Sequence, residues 1–339
     1  MKKNYLFTVS IIVAILILSA VSIFVGAFDV SLSGILSGDY KQLIILLNSR
    51  LPRVFAALCV GSGMSVAGLI MQNLCMNKFV SPTTGATISS AQLGIVISML
   101  MLPGASLATR STFSFIFSIL GTWLFVWFIQ KIQIKDVVMV PLIGIMFNSV
   151  IGGLVSYIAY ENDLTQILSN LLVGDFSLIL AGRYEIVFLI LPLLIISFIY
   201  SNYFNIVGMG ENFSNNLGVN YKFIMFLGLS ITAIITASVV VTVGTISYIG
   251  LIIPNIVSMY KGDKIRKSLL DVALFGAMFV LLCDLIGRIV IRPFELPIEL
   301  ISGIIGSVIF IVMLFARLNH GRRLNKKGVS HAKKIISPK

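Results

Sequence analysis

Charge is scarce in this sequence. Of its 339 residues 58% are hydrophobic and only 11% charged, and the mean hydropathy is +1.03. Soluble domains carry roughly 25% charged residues, so a water-soluble globule is excluded. Histidine is almost missing, with only His320 and His331, both near the end. The three cysteines, Cys59, Cys75 and Cys283, lie singly in apolar runs with no metal or redox spacing. A thiolate or imidazole metal centre inside the chain is therefore not expected. No G-x-x-x-x-G-K-[ST] run occurs, so no nucleotide is expected in a P-loop of this chain. Nothing in the pattern suggests a catalytic constellation, and no enzyme activity is expected.

The net charge of +12 does not indicate nucleic acid, because the surplus is local. Eight of the 25 Lys and Arg residues fall in Arg317 to Lys339, a stretch without acid. That pattern fits a cytoplasmic anchor for a terminal helix, with a regulatory or lipid-binding tail as the alternative.

What is present is apolar sequence in long runs. A helix crosses the hydrocarbon with about 20 apolar residues. Runs of that kind fall near 6–28, 51–72, 84–103, 111–130, 137–160, 184–201, 222–243, 246–260, 269–291 and 298–316. The first follows Met1-Lys2-Lys3 and is too long for a signal peptide's core, so it reads as a first span. The expected fold is an all-α integral membrane protein of about ten transmembrane helices, with a membrane domain over 1–316 and a basic cytoplasmic tail over 317–339. Residues 30–47, broken by Gly34, Gly38 and Asp39, look interfacial. Residues 164–180, cut by Gly174-Asp175, look like a short helix tucked at a membrane surface. Such backbone is tolerated at depth only when buried in protein or lining a wet cavity.

Alternating the ten spans from a cytoplasmic N-terminus puts ten Lys and Arg residues in the inner loops and seven on the outer side, before the tail is added. This agrees with the positive-inside rule, and an even number of spans returns the tail to the cytoplasm. Close helix packing is expected at Gly61, Gly63, Ala67 and Gly68, and at Gly144, Asn148 and Gly152 on one face of the fifth span.

Ion-coupled carriers use acidic or basic groups within the membrane. Here the clear one is Asp284, placed to pair with Arg288 four residues on. A transporter without internal coupling groups takes its energy from a partner. The cytoplasmic stretch 202–221 is the natural contact for one. Glycines 208, 210 and 218 bracket Glu211 to Leu217, a brief helix with Phe213 and Leu217 on one side. On the outer side Arg50-Leu-Pro-Arg53, joined by Arg288 and Arg292, forms a candidate socket for carboxylates of an acidic partner. Headgroup anchoring is the alternative. Neutral polar residues, among them Gln72, Thr83, Thr84, Thr87 and Asn148, are candidates for a translocation path or for helix-to-helix hydrogen bonds.

At these residues the chain resembles the type II importer permeases, the family that moves ferric siderophores, haem and cobalamin. The likeness runs over about residues 1–316. It rests on Arg50-Leu-Pro-Arg53, Gly68-Leu-Ile-Met-Gln72, Asn77-Lys-Phe-Val-Ser-Pro82, Gly210-Glu211 with Leu217-Gly218, Gly244 to Asn255, Asp284 with Arg288, and Glu295-Leu-Pro297, in the family's order. The resemblance implies a ten-helix permease that pairs with a second permease, either a copy or a sister. It implies ATP and Mg bound on separate ABC ATPase subunits that contact Gly210, Glu211, Phe213, Leu217 and Gly218. It also implies a siderophore-binding lipoprotein or periplasmic protein docking on Arg50, Arg53 and Arg288, and residence in the bacterial cytoplasmic membrane with both termini inside. Two departures, at Asn77 to Pro82 and at Pro254-Asn255, resemble the branch serving catecholate and mixed citrate–catecholate chelates. Haem, cobalamin and, more remotely, an ion-coupled carrier are the alternatives.

Overall fold

A computed structural model describes residues 2–26, 31–82, 86–132, 139–182, 184–262 and 264–315. Basic tail 317–339 and path candidates Thr83 and Thr84 lie outside them. The described residues are almost wholly helical, with one isolated backbone bridge, Val173 to Thr245.

The helices are α1 (Lys2–Phe24), α2 (Leu32–Leu36), α3 (Tyr40–Ile45), α4 (Leu51–Leu74), α5 (Thr87–Met101), α6 (Leu107–Ile132), α7 (Met139–Glu161), α8 (Thr165–Leu172), α9 (Ile190–Ile199), α10 (Ser201–Val207), α11 (Glu211–Asn216), α12 (Tyr221–Val243), α13 (Ile249–Lys261) and α14 (Ile265–Ile289). A last helix, α15 (Ile298–Phe315), follows. Each of the ten apolar runs contains a helix. Six helical stretches of the described residues are long and apolar enough to cross a membrane, or seven with the bent α9–α10 pair. The multi-pass class stands on these.

Two expectations change. Residues 40–50 are not a separate interfacial piece. They run through a π-turn, Leu46–Arg50, straight into α4 and make one helix of 35 residues. The stretch after the sixth span is not all loop. α10 continues the chain as helix, bent by 63° from α9. The bend falls at Tyr200, whose backbone (φ −87°, ψ 3°) leaves the helical region.

α4 is the central helix, buried along most of its length against α12, α13 and α14. The small residues read from the sequence explain how. A Cβ on Gly68 would lie 1.9 Å from the Gly250 carbonyl oxygen of α13, and one on Gly61 would lie 2.4 Å from that of Gly276 in α14. Any side chain there would force the helices apart. The main core runs from α4 through α9, α10, α12, α13 and α14 to α15. A second, smaller core joins α5, α7 and α8 through Val96, Val155, Ala159 and Leu168.

The contacts define two ends of the bundle. Thr8, residues 73–78, α11 and residues 258–271 gather at one, where Lys78, Lys222, Lys261, Lys264, Arg266 and Lys267 also lie. The other holds the end of α1, the start of α4, the turn after α8, the α12–α13 break and the α14–α15 turn.

Candidate functional site

At that second end the chain builds a buried ion cluster. Arg53 donates from Nε and Nη2 to Asp284 Oδ1 at 3.1 and 2.8 Å, and from Nη1 to Glu295 Oε2 at 2.6 Å. Arg288 pairs with the other Asp284 oxygen, one helical turn away, as its spacing suggests. Arg288 also donates to the Ser22 and Val25 carbonyls, both at 2.9 Å, and Arg50 donates to Val25 at 2.8 Å. The last carbonyls of α1 have no helical donors, so two guanidinium groups fill that need.

Asp284, Arg50, Arg53 and Arg288 are only 4%, 5%, 6% and 2% exposed. The sequence brings the right residues together, but as an internal lock between α1, α4 and α14 rather than an open socket. Arg292 stands apart, exposed in the turn after α14. Within the cluster Arg53 pairs with both Asp284 and Glu295, and Arg288 with Asp284. Glu295 was visible in the sequence only as part of a motif. Its role as the second carboxylate needed the turn at 290–297 to fold back.

At the opposite end lies a pair the sequence reading missed. Asp271, 2% exposed, pairs with Lys261 and accepts from the Thr8 hydroxyl at 2.6 Å. Lys261 also donates to Thr8 Oγ1 at 3.1 Å. The available signal was an acid near the start of the ninth apolar run.

The segment expected to meet a partner is also at this end. α11 begins after Gly210 (φ 105°) and is followed by Gly218 (φ 72°), both in the left-handed region that favours glycine. Ser214 is buried and its hydroxyl lies 3.3 Å from the Ile206 carbonyl of α10. Phe213 and Leu217 are left 46% and 56% exposed. Beside them an open depression of about 500 Å³ is lined by Glu211, Asn215, Gly218, Val219, Asn220, Tyr221 and Lys222. A small apolar knob thus stands beside a polar hollow.

The path candidates do not form one group. Pro254 lies inside α13 and lacks the N–H that would bond the Gly250 carbonyl. Gln72 fills the gap, donating from Nε2 to Gly250 at 3.2 Å and Leu251 at 3.1 Å. Its amide nitrogen is committed to α13, not to a path. Asn255 adds 2.7 Å bonds to Leu251 and Lys78 carbonyls. Thr87 is buried against Thr122 at 3.3 Å. Asn148 remains: it is half-buried on α7, and its Oδ1 is shielded without a hydrogen-bond donor. Among the described residues no cluster of His, Cys, Asp and Glu is arranged to hold a metal ion.

Known proteins share this sequence and fold. The chain is 44% identical to the petrobactin import system permease protein of Bacillus subtilis (strain 168), over 94% of this chain and 99% of that one. It is 38% identical to the ferric-anguibactin transport system permease protein of Vibrio anguillarum (strain ATCC 68554 / 775), over 91% and 98%. A solved structure reported as an inward-facing conformation of a metal-chelate type ABC transporter superposes with a TM-score of 0.78 at 25% identity, covering 92% of this chain and 99% of that one. The FecCD transport family matches residues 13–316, nearly the whole described bundle. The chain belongs to the FecCD transport family.

Proposed function

We propose that this chain is the permease subunit of an ATP-binding-cassette importer that carries a ferric siderophore of the petrobactin or anguibactin kind into the cytoplasm. The observation that carries the reading is the end-to-end match to a petrobactin permease, 44% identical over 99% of its length. The geometry is in keeping with it. A permease needs one end for an energy source and one for a cargo carrier, and this bundle has two chemically distinct ends.

ATP and Mg belong to a separate ATPase. α11 offers Phe213 and Leu217 as the knob that transmits its motion, and the basic residues around that end fit a cytoplasmic orientation. A cargo-binding protein approaches the opposite end, where exposed Arg292 can pair with acidic side chains. Arg50, Arg53 and Arg288 support that face from within. A second permease covers the exposed side of α7, which presents Met146, Val150, Leu154 and Tyr157. Asn148 on that helix is the remaining path candidate.

Uptake of radioactive ferric petrobactin tests the proposal. Cells lacking the chain are compared with cells in which it is restored, with its partner subunits present. Restored uptake that disappears on ATP depletion is expected. Uptake that survives ATP depletion but collapses with an ionophore would refute the importer reading. Restoration by haem or cobalamin alone would refute the cargo.

A further inference from the structure

α8 and α7 are the loosely held part of the bundle. Among the described residues α7 packs mainly on α5, α6 and α8, and α8 mainly on α7. Beyond α8 the chain rejoins the main core through Phe176, Ile179 and an Ala181 N–H bond to the Asn48 carbonyl at 2.9 Å, and its first tie on the way is around residue 299. Glu299 lies in the first turn of α15, and each of its carboxylate oxygens meets a different irregular segment. Oε1 lies 2.9 Å from the Thr245 hydroxyl, whose one proton it shares with the Leu172 carbonyl at 2.8 Å, and Oε2 accepts from the Gly174 N–H at 3.3 Å. Around it the backbone is stitched in register. Glu299 N–H donates to Gly174 at 3.2 Å, Thr245 N–H to Leu172 at 2.8 Å, and Asp175 N–H to Val243 at 2.8 Å.

Gly174 admits this approach only because it has no side chain; a Cβ there would lie 2.1 Å from the Thr245 carbonyl oxygen. Neither segment is helical where they meet, so their amides have no internal partners. A carboxylate on a third helix, with two acceptors, joins both at once. We infer that Glu299 is a positioning residue that clasps the end of α8 to the α12–α13 break, and that transport requires this clasp to hold α8 against the core. The buried face of α8 carries Leu168, 8% exposed against Val96, Val155 and Ala159. Loss of the clasp frees the end of α8 and uncovers that face.

The native cysteines Cys59, Cys75 and Cys283 are buried, so a new thiol can be read against a quiet background. The assembled importer carrying Leu168→Cys is labelled with a maleimide, alone and with Glu299→Ala, Glu299→Gln, Thr245→Val or Thr245→Ser. Labelling at 168 should rise about tenfold or more with Glu299→Ala, a change of about 1.4 kcal/mol in the opening equilibrium. Glu299→Gln, which keeps one acceptor, should fall between. Thr245→Val should open the site and Thr245→Ser should restore it, while the native cysteines stay unreactive in all. Equal labelling in every variant, or a parallel rise at the native cysteines, would overturn the clasp. Its role in transport rests on the permease reading. In proteoliposomes, Glu299→Ala should lower ferric petrobactin uptake per ATP hydrolysed, and an unchanged ratio would overturn that role. Absence of uptake with Leu168→Cys alone, while 168 labelling still follows the clasp, would count against the permease reading instead.

Discussion

Asp284→Asn gives the sharpest test of the buried cluster. Asp284 serves two arginines at once: Arg53 takes one oxygen and Arg288 the other. The asparagine keeps the volume but removes the charge, and it turns an N–H₂ towards one guanidinium. Arg53 then keeps Glu295, while Arg288 loses its carboxylate partner. Removing one partner of a buried ion pair costs roughly 3–5 kcal/mol, because the remaining charge stays desolvated. For a chain of this size that corresponds to a fall in Tm of about 5 °C or more. The assay is a thermal scan in detergent with a thiol-reactive fluorophore. Cys283, the neighbour of Asp284, is 0% exposed and reports the loss of this packing. The shift should change little with salt, since screening acts weakly on buried pairs. Arg292→Ala, at the exposed arginine of the same end, should stay within about 0.5 kcal/mol of the parent. A Tm for Asp284→Asn within about 1 °C of the parent would refute the lock.

Two further predictions concern α4. Gly68→Val places a side chain where the Gly250 carbonyl already stands 1.9 Å away, so α4 and α13 must separate; the expected result is failure to accumulate a folded chain, seen as aggregation on size exclusion, whereas Gly153→Ala, facing open space, should elute as the parent does. Gln72→Leu strands the carbonyl that Pro254 leaves unbonded and should cost about 1–3 kcal/mol in the same thermal scan; adding Pro254→Ala restores the helical donor and should recover part of that loss.

Much of this architecture was legible in the sequence, because hydrocarbon imposes simple rules. A helix must be about 20 residues long and apolar to cross, so run length marked the apolar helices, of which six, or seven with the bent pair, are long enough to cross among the described residues. Small residues at 61, 63, 67 and 68 marked α4 as a close-packing helix, and glycines on both sides of Glu211 to Leu217 marked a separate short helix. The pairing of Asp284 with Arg288 followed from one helical turn of spacing. Resemblance to the importer permeases then placed the arginine motif and the coupling segment in one scheme.

Tertiary structure decided what each polar group is for, since a side chain's partners come from other helices that spacing along one helix does not reveal. Arg53 meets Asp284 across 231 positions and Asp271 meets Thr8 across 263. Gln72 reads as a path residue until the proline of a distant helix supplies a carbonyl that needs it. Glu299 reads as the edge of a span until two irregular segments close on its oxygens. The sequence by itself determined that the chain is a helical, multi-pass membrane protein and where most of its apolar helices run, because those follow from local hydropathy and residue type. Only the packed structure decided which charges are buried and what they join, because burial and pairing depend on where helices far apart in sequence come to lie.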